Sequence, residues 1–168
     1  MKKCALLLVA TALLLMCLAI PASAENAQYA TTELFLEYLD EEGYYYTYKG
    51  VDGDGYERLE MAFEGDAFEP DVQLYFTENE DRCSLRVWDV IEYDEPMQPV
   101  ILGVVNSLNS QYMFAKWTAE EECSVTLAMD VLLRPSDDMS EILIDAVKRM
   151  ASIADSGYPE LAPYAKAD

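Results

Sequence analysis

The sequence contains no histidine. Ser-His-Asp and Cys-His catalysis are therefore excluded, as is any zinc site that needs an imidazole. Basic residues are scarce, with 11 Lys and Arg against 32 Asp and Glu and a formal net charge of −21. Such a balance repels nucleic-acid phosphates and anionic membrane surfaces. It leaves a soluble protein, a basic partner or divalent cations as readings. No glycine-rich phosphate loop is present, because Gly53 and Gly55 lie in a turn with no Lys or helix after them. Repeats, linkers and low-complexity blocks are also missing, so 168 residues predict one domain.

One long apolar run stands out, at the N-terminus. Lys2 and Lys3 precede residues 4–20, which carry no charge; Pro21 breaks the run, and Ala22-Ser23-Ala24 has the small-x-small form of a cleavage site. These features predict a secretory signal peptide over residues 1–24, cut after Ala24. The run is short for a membrane span and has no stop-transfer flank. Cys17 is a poor lipid-anchor site, since the large Leu14, Leu15 and Met16 come before it. The expected location is secreted or periplasmic in a bacterium, with no membrane insertion after cleavage. Loss of Lys2 and Lys3 takes the charge from −21 to −23. The predicted domain covers residues 25–168, with its core over 31–157.

Two of the four cysteines leave with that segment. Cys83 and Cys123 each follow a turn and open a strand, on the parity of that strand's apolar face. Two readings stay open: a disulfide between neighbouring strands, or two buried thiols acting as small hydrophobes. Forty positions apart, they form neither a redox CxxC pair nor a zinc knuckle.

Periodicity predicts the elements. Thr31 or Thr32 is placed to cap a first helix carrying Leu34, Phe35, Tyr38 and Leu39, which Gly43 ends. Residues 44–49 and 58–64 read as a hairpin turned by Asp52-Gly53-Asp54-Gly55. Val72, Leu74 and Phe76 mark a third strand; Cys83, Leu85 and Val87 mark a fourth that runs to Val90 or Ile91. A second helix carries Val100, Ile101, Val104, Val105 and Leu108, with Asn106 and Asn109 as terminators near its end. Residues 112–118 predict a strand with two facings open: Met113, Ala115 and Trp117 inward, or Tyr112 and Phe114 inward. Val125, Leu127, Met129, Val131 and Leu133 then alternate strictly, the period of a strand buried on one face. Asp138 with Glu141 has the form of a capping box, and Gly157 closes the helix that follows. Met139, Ile142, Leu143, Ala146, Val147, Met150, Ile153 and Ala154 make its apolar stripe. A sheet with one apolar face needs helices to cover it. The predicted fold is α+β: a single antiparallel sheet with helices on one face, in the order α-β-β-β-β-α-β-β-α.

This order resembles a known family. Ile101-Leu102-Gly103-Val104-Val105-Asn106-Ser107-Leu108-Asn109, followed by Phe114-Ala115-Lys116-Trp117, resembles the YbjN-like family, the bacterial sensory transduction regulators. In that family a helix ending in an Asn-x-x-Asn-like motif precedes a short strand with an aromatic and a Lys. A long strand with an acidic residue near its end then leads to an amphipathic helix. Asn106, Asn109, Phe114, Lys116, Asp130 and residues 139–154 stand at those places. The resemblance implies the fold of type III secretion chaperones and implies no catalytic residue.

The functional expectation rests on the face turned away from the helices. Alternation puts Tyr75, Arg86, Trp88 and Leu132 there, together with Tyr112 and Phe114 if they face outward. Large apolar groups on a solvent face mark contact surfaces, and aromatics with Arg are favoured at binding hot spots. Strand propensity alone also places aromatics on sheets. The expected function is an exported, non-enzymatic protein- or peptide-interaction domain, chaperone-like or regulatory, with no cofactor. Its expected partners are a second copy of the chain or a protein or peptide segment. The alternative is an acidic, calcium-responsive envelope protein using Asp52 and Asp54, which recur at the i, i+2 spacing of a calcium loop. A plain Asp-Gly turn accounts for the same residues.

Overall fold

The computed structural model describes residues 27–166, so the expected signal peptide lies outside the described residues. Nine main elements follow in the predicted order: α1 (Ala30–Glu42), β1 (Thr47–Val51), β2 (Glu57–Ala62), β3 (Asp71–Phe76), β4 (Arg82–Glu92), α2 (Gln98–Gln111), β5 (Lys116–Ala119), β6 (Ser124–Leu132) and α3 (Met139–Leu161). The strands form one antiparallel sheet in the order β1-β2-β3-β4-β6-β5. The helices pack on one face of it. Leu59, Met61, Val72, Leu74, Phe76, Leu85, Val87, Val125 and Leu127 supply the buried side of the sheet. Phe35, Leu36 and Leu39 from α1 and Leu143, Val147 and Met150 from α3 close the core above it.

Several predicted details differ. α1 starts at Ala30, and neither threonine caps it. Thr31 and Thr32 are fully buried instead, while Glu80 from the β3–β4 turn accepts the Thr31 N–H at 3.0 Å. The buried face of α1 includes Leu36, and Leu34 is exposed. Gly43 does end α1: its φ is 74°, and Tyr44 N–H returns to the Leu39 carbonyl at 2.9 Å. This is a left-handed C-cap, open to glycine without a Cβ penalty. The Asp138 side chain makes no cap hydrogen bond to α3; it accepts from Ser136 Oγ at 2.6 Å.

Gly157 does not end α3. The helix runs through it, and through Pro159, to Leu161. A Cβ on Gly157 would stand 2.5 Å from Trp117 Cζ2, so glycine here serves close packing rather than termination. Nor does Asn109 terminate α2, which continues to Gln111. Its amide accepts the Trp117 N–H at 2.8 Å and donates to the Trp117 carbonyl at 2.9 Å. It thereby supplies a side-chain partner to the outer edge of β5, the last strand of the sheet.

The disulfide reading is overturned. Cys83 and Cys123 are both free. Their strands are neighbours, but antiparallel ones, and each cysteine lies at the start of its own strand. Cys83 stands opposite Val131, whereas Cys123 precedes Ser124, which stands opposite Glu92. Eight residues of extended chain separate the two ends of the ladder, about 26 Å at the usual strand rise. A bridge needs the Cα atoms within roughly 7 Å.

Two phenols, Tyr46 just before β1 and Tyr48 within it, make the fold sensitive to alkali. Burial, with a hydrogen bond to Asp40, pushes the Tyr46 phenol up to about 12. Burial, with a hydrogen bond to Glu57, pushes the Tyr48 phenol higher still. Both folded-state values lie above the unfolded value near 10, so the neutral phenols favour the native state. That stability is intact below about pH 10 and is lost as pH rises from there through 12. Circular dichroism during an alkaline titration should show unfolding in this window. Replacing both tyrosines by phenylalanine should lessen the loss between about pH 10 and 12; an unchanged pH slope would refute the assignment.

Candidate functional site

The outward face of the sheet is built by register. Arg58 on β2 stands opposite Tyr75 on β3, which stands opposite Ser84 on β4; in the next row Gln73 stands opposite Arg86. These positions alternate with the buried ones, so all five side chains point away from the helices. β4 then bulges. Between Val87 and Ile91 lie three residues where β6 has only Thr126, and Asp89 adopts a φ of 49°. A bulge re-aims the side chains at its mouth. Trp88, the residue at that point, is 43% exposed.

The side chains form a connected network. Trp88 Nε1 donates to the Tyr75 hydroxyl at 2.9 Å, and that hydroxyl donates to Gln73 Oε1 at 2.7 Å. Arg58 Nη2 donates to Gln73 Oε1 at 3.0 Å and to the Tyr75 hydroxyl at 3.3 Å. The Arg58 guanidinium lies over the Tyr75 ring, 4.8 Å from its centroid, while Tyr56 meets that ring edge-on at 6.1 Å. Each partner limits the rotamers of the next, so the platform is ordered before anything binds.

A second set lies beside it. Ser84 Oγ donates to Asp130 Oδ1 at 2.6 Å, and Arg86 pairs with the same oxygen at 3.4 Å. Burial works against the Asp130 carboxylate, but the Ser84 hydrogen bond and the charges of Arg86 and Arg82 outweigh it. Its carboxyl is therefore held below the usual range, and it stays ionised at neutral pH. Arg86 Nη1 is held further by the Leu85 carbonyl at 2.7 Å. Arg82, Ser84 and Arg86 form one side of a depression of about 290 Å³. Tyr56, Tyr75 and Trp88 form its aromatic part, and Asp52 and Asp54 reach it from the β1–β2 turn.

The six residues expected to share this face are divided. Tyr75, Arg86 and Trp88 line the depression together. Phe114 does not: β5 begins only at Lys116, so Phe114 precedes the sheet and lies under the Arg149 guanidinium of α3, 4.9 Å from its centre. Leu132, at the end of β6, lines a separate groove with Phe114, Ile142 and Arg149. Tyr112 caps the end of α2 and packs against the core. The inward choice for β5 falls on Ala115 and Trp117, both buried, while Met113 is exposed. Arg58, Gln73, Arg82 and Ser84 were missed from the sequence, although Arg82 and Ser84 share the parity of Arg86 and Trp88 on β4.

The calcium reading finds no support in the turn. Asp52 Oδ1 accepts the N–H groups of Asp54 and Tyr56, each at 3.0 Å, and so serves to shape the hairpin. Among the described residues no group of three or more Cys, Asp or Glu side chains is placed to hold a metal ion. Two aspartates with one oxygen already engaged fall short of the six or more ligands calcium takes. Among the described residues no helix is long and apolar enough to cross a membrane.

No protein-family model matches the chain, and no curated protein matches it.

Proposed function

We propose that this protein is an exported, non-enzymatic interaction domain of the YbjN-like type that binds a protein or peptide segment on the outward face of its sheet. The observation carrying the reading is Trp88: an indole 43% exposed, yet fixed through Nε1 to Tyr75. An exposed aromatic held in one orientation by hydrogen bonds loses little entropy when a partner covers it. Arg58 and Arg86 beside it add planar donors suited to a polar rim.

The test is the double replacement of Trp88 and Tyr75 by serine. Loss of partner co-purification from the cell envelope, with an unchanged thermal melt, is the expected result. A hot-spot pair of this kind is worth about 2–4 kcal/mol, roughly a 30- to 1,000-fold change in affinity. Undiminished binding by the double variant would defeat the reading. Light scattering behind size exclusion distinguishes a second copy from a foreign segment as the occupant.

A further inference from the structure

We infer that the depression beside Trp88 receives a peptide segment of mixed charge, its carboxylate set against Arg82 and its cationic side chain against Asp54. The inference rests on the platform reading above and specifies its ligand. Among the described residues, three arginines are only partly exposed: Arg58, Arg82 and Arg86. Arg58 is committed to Gln73 and Tyr75, and Arg86 to Leu85 and Asp130. Arg82 makes no hydrogen bond or ion pair through its guanidinium among the described residues. In a chain with 32 acidic residues to 11 basic ones, a half-buried guanidinium that acts on Asp130 through charge alone, with no carboxylate in ion-pair contact, is out of pattern. Asp54 lines the same depression and likewise has no ion pair there. The two opposite charges face one cavity without bridging each other.

A ligand bearing only a carboxylate would meet repulsion from Asp52 and Asp54. One bearing only a cation would meet Arg82 and Arg86. A segment with both, separated by an apolar or aromatic residue, answers each wall and lays its middle on Trp88 and Tyr75.

The experiment uses calorimetric titration of the purified protein with two blocked hexapeptides. One is acetyl-Glu-Ala-Phe-Ala-Lys-Ala-amide; the other carries Gln in place of both Glu and Lys. The charged peptide should bind at least tenfold more tightly at low salt, with the advantage shrinking as salt is raised. Arg82→Gln and Asp54→Asn should each remove most of that advantage while leaving the thermal melt in place. The double reversal of Arg82→Glu with Asp54→Lys should keep affinity for the charged peptide in the opposite orientation, which rules out a merely structural effect of the single changes. Equal binding of the two peptides would overturn the mixed-charge proposal and leave the platform standing. Binding of neither would overturn it too, and the Trp88 and Tyr75 replacements would then decide the platform independently.

Discussion

Replacing Glu57 by alanine is expected to lower the unfolding free energy by about 3–5 kcal/mol, from the loss of several hydrogen bonds to one charged acceptor. Glu57 is fully buried on β2, on the side of the sheet that otherwise carries Leu59 and Met61. Its carboxylate accepts the Gln28 N–H at 2.6 Å, the Tyr29 N–H at 3.0 Å and the Tyr48 hydroxyl. The first two donors are backbone groups at the entry to α1. A helix start leaves such groups without partners inside the helix. A negative group there also opposes the positive end of the helix dipole. Alanine removes the acceptor from all three donors. Tyr29 is buried, so its N–H would have to find water or stay unpaired. Glutamine keeps the shape but offers one acceptor oxygen and an NH₂ turned towards a donor, so more than half of the loss should persist. Urea titration checks this: the midpoint should fall with the slope unchanged. A loss below about 1 kcal/mol would show that the segment before α1 is held by other contacts.

The sequence misses this bond for a reason that applies more widely. A glutamate in the pattern Glu57-Arg58-Leu59 reads as the solvated end of a strand, and nothing local says that residues 28–29 will lie across it. Alternation along β3, β4 and β6 was legible because each strand's burial is a property of that strand alone. Element order was legible for the same reason. What could not be read is whatever depends on a meeting of distant residues: the Tyr75 hydroxyl that holds the Trp88 indole, the antiparallel register that parts Cys83 from Cys123, and the turn that brings Asp54 to the depression Arg82 lines. Tyr75, Arg86 and Trp88 were found because parity sufficed for them. Arg82 obeys the same parity but has neither aromatic character nor a neighbouring motif to mark it. Tyr112 and Phe114 fall off this face because the strand starts at Lys116, four residues after the predicted start at Tyr112.

Gly157 shows the same dependence and yields the second large effect. By helix propensity alone, Gly157→Ala should stabilise α3 by about 1 kcal/mol. The structure predicts the opposite sign. The new Cβ would lie 2.5 Å from Trp117 Cζ2 and 3.2 Å from Cη2. Trp117 is 1% exposed, and the backbone of its residue is held on the far side by the paired hydrogen bonds to Asn109. The ring therefore has little freedom to retreat, and overpacking of this kind costs about 1–3 kcal/mol beyond the propensity gain. A net loss of about 2 kcal/mol is expected, and a larger one for Gly157→Val, whose branched Cβ also disfavours the helix. Trp117→Phe supplies the control. It shortens the side chain at the point of contact and removes an indole N–H that has no partner among the described residues. Alone it should cost about 1–2 kcal/mol for the space left behind. Combined with Gly157→Ala it should recover stability, because the new methyl fills part of that space. The double-mutant cycle should give a favourable coupling of about 1–2 kcal/mol. Strict additivity in denaturant titrations would mean that the helix and β5 can separate to admit the methyl, and that Gly157 is not what sets their distance.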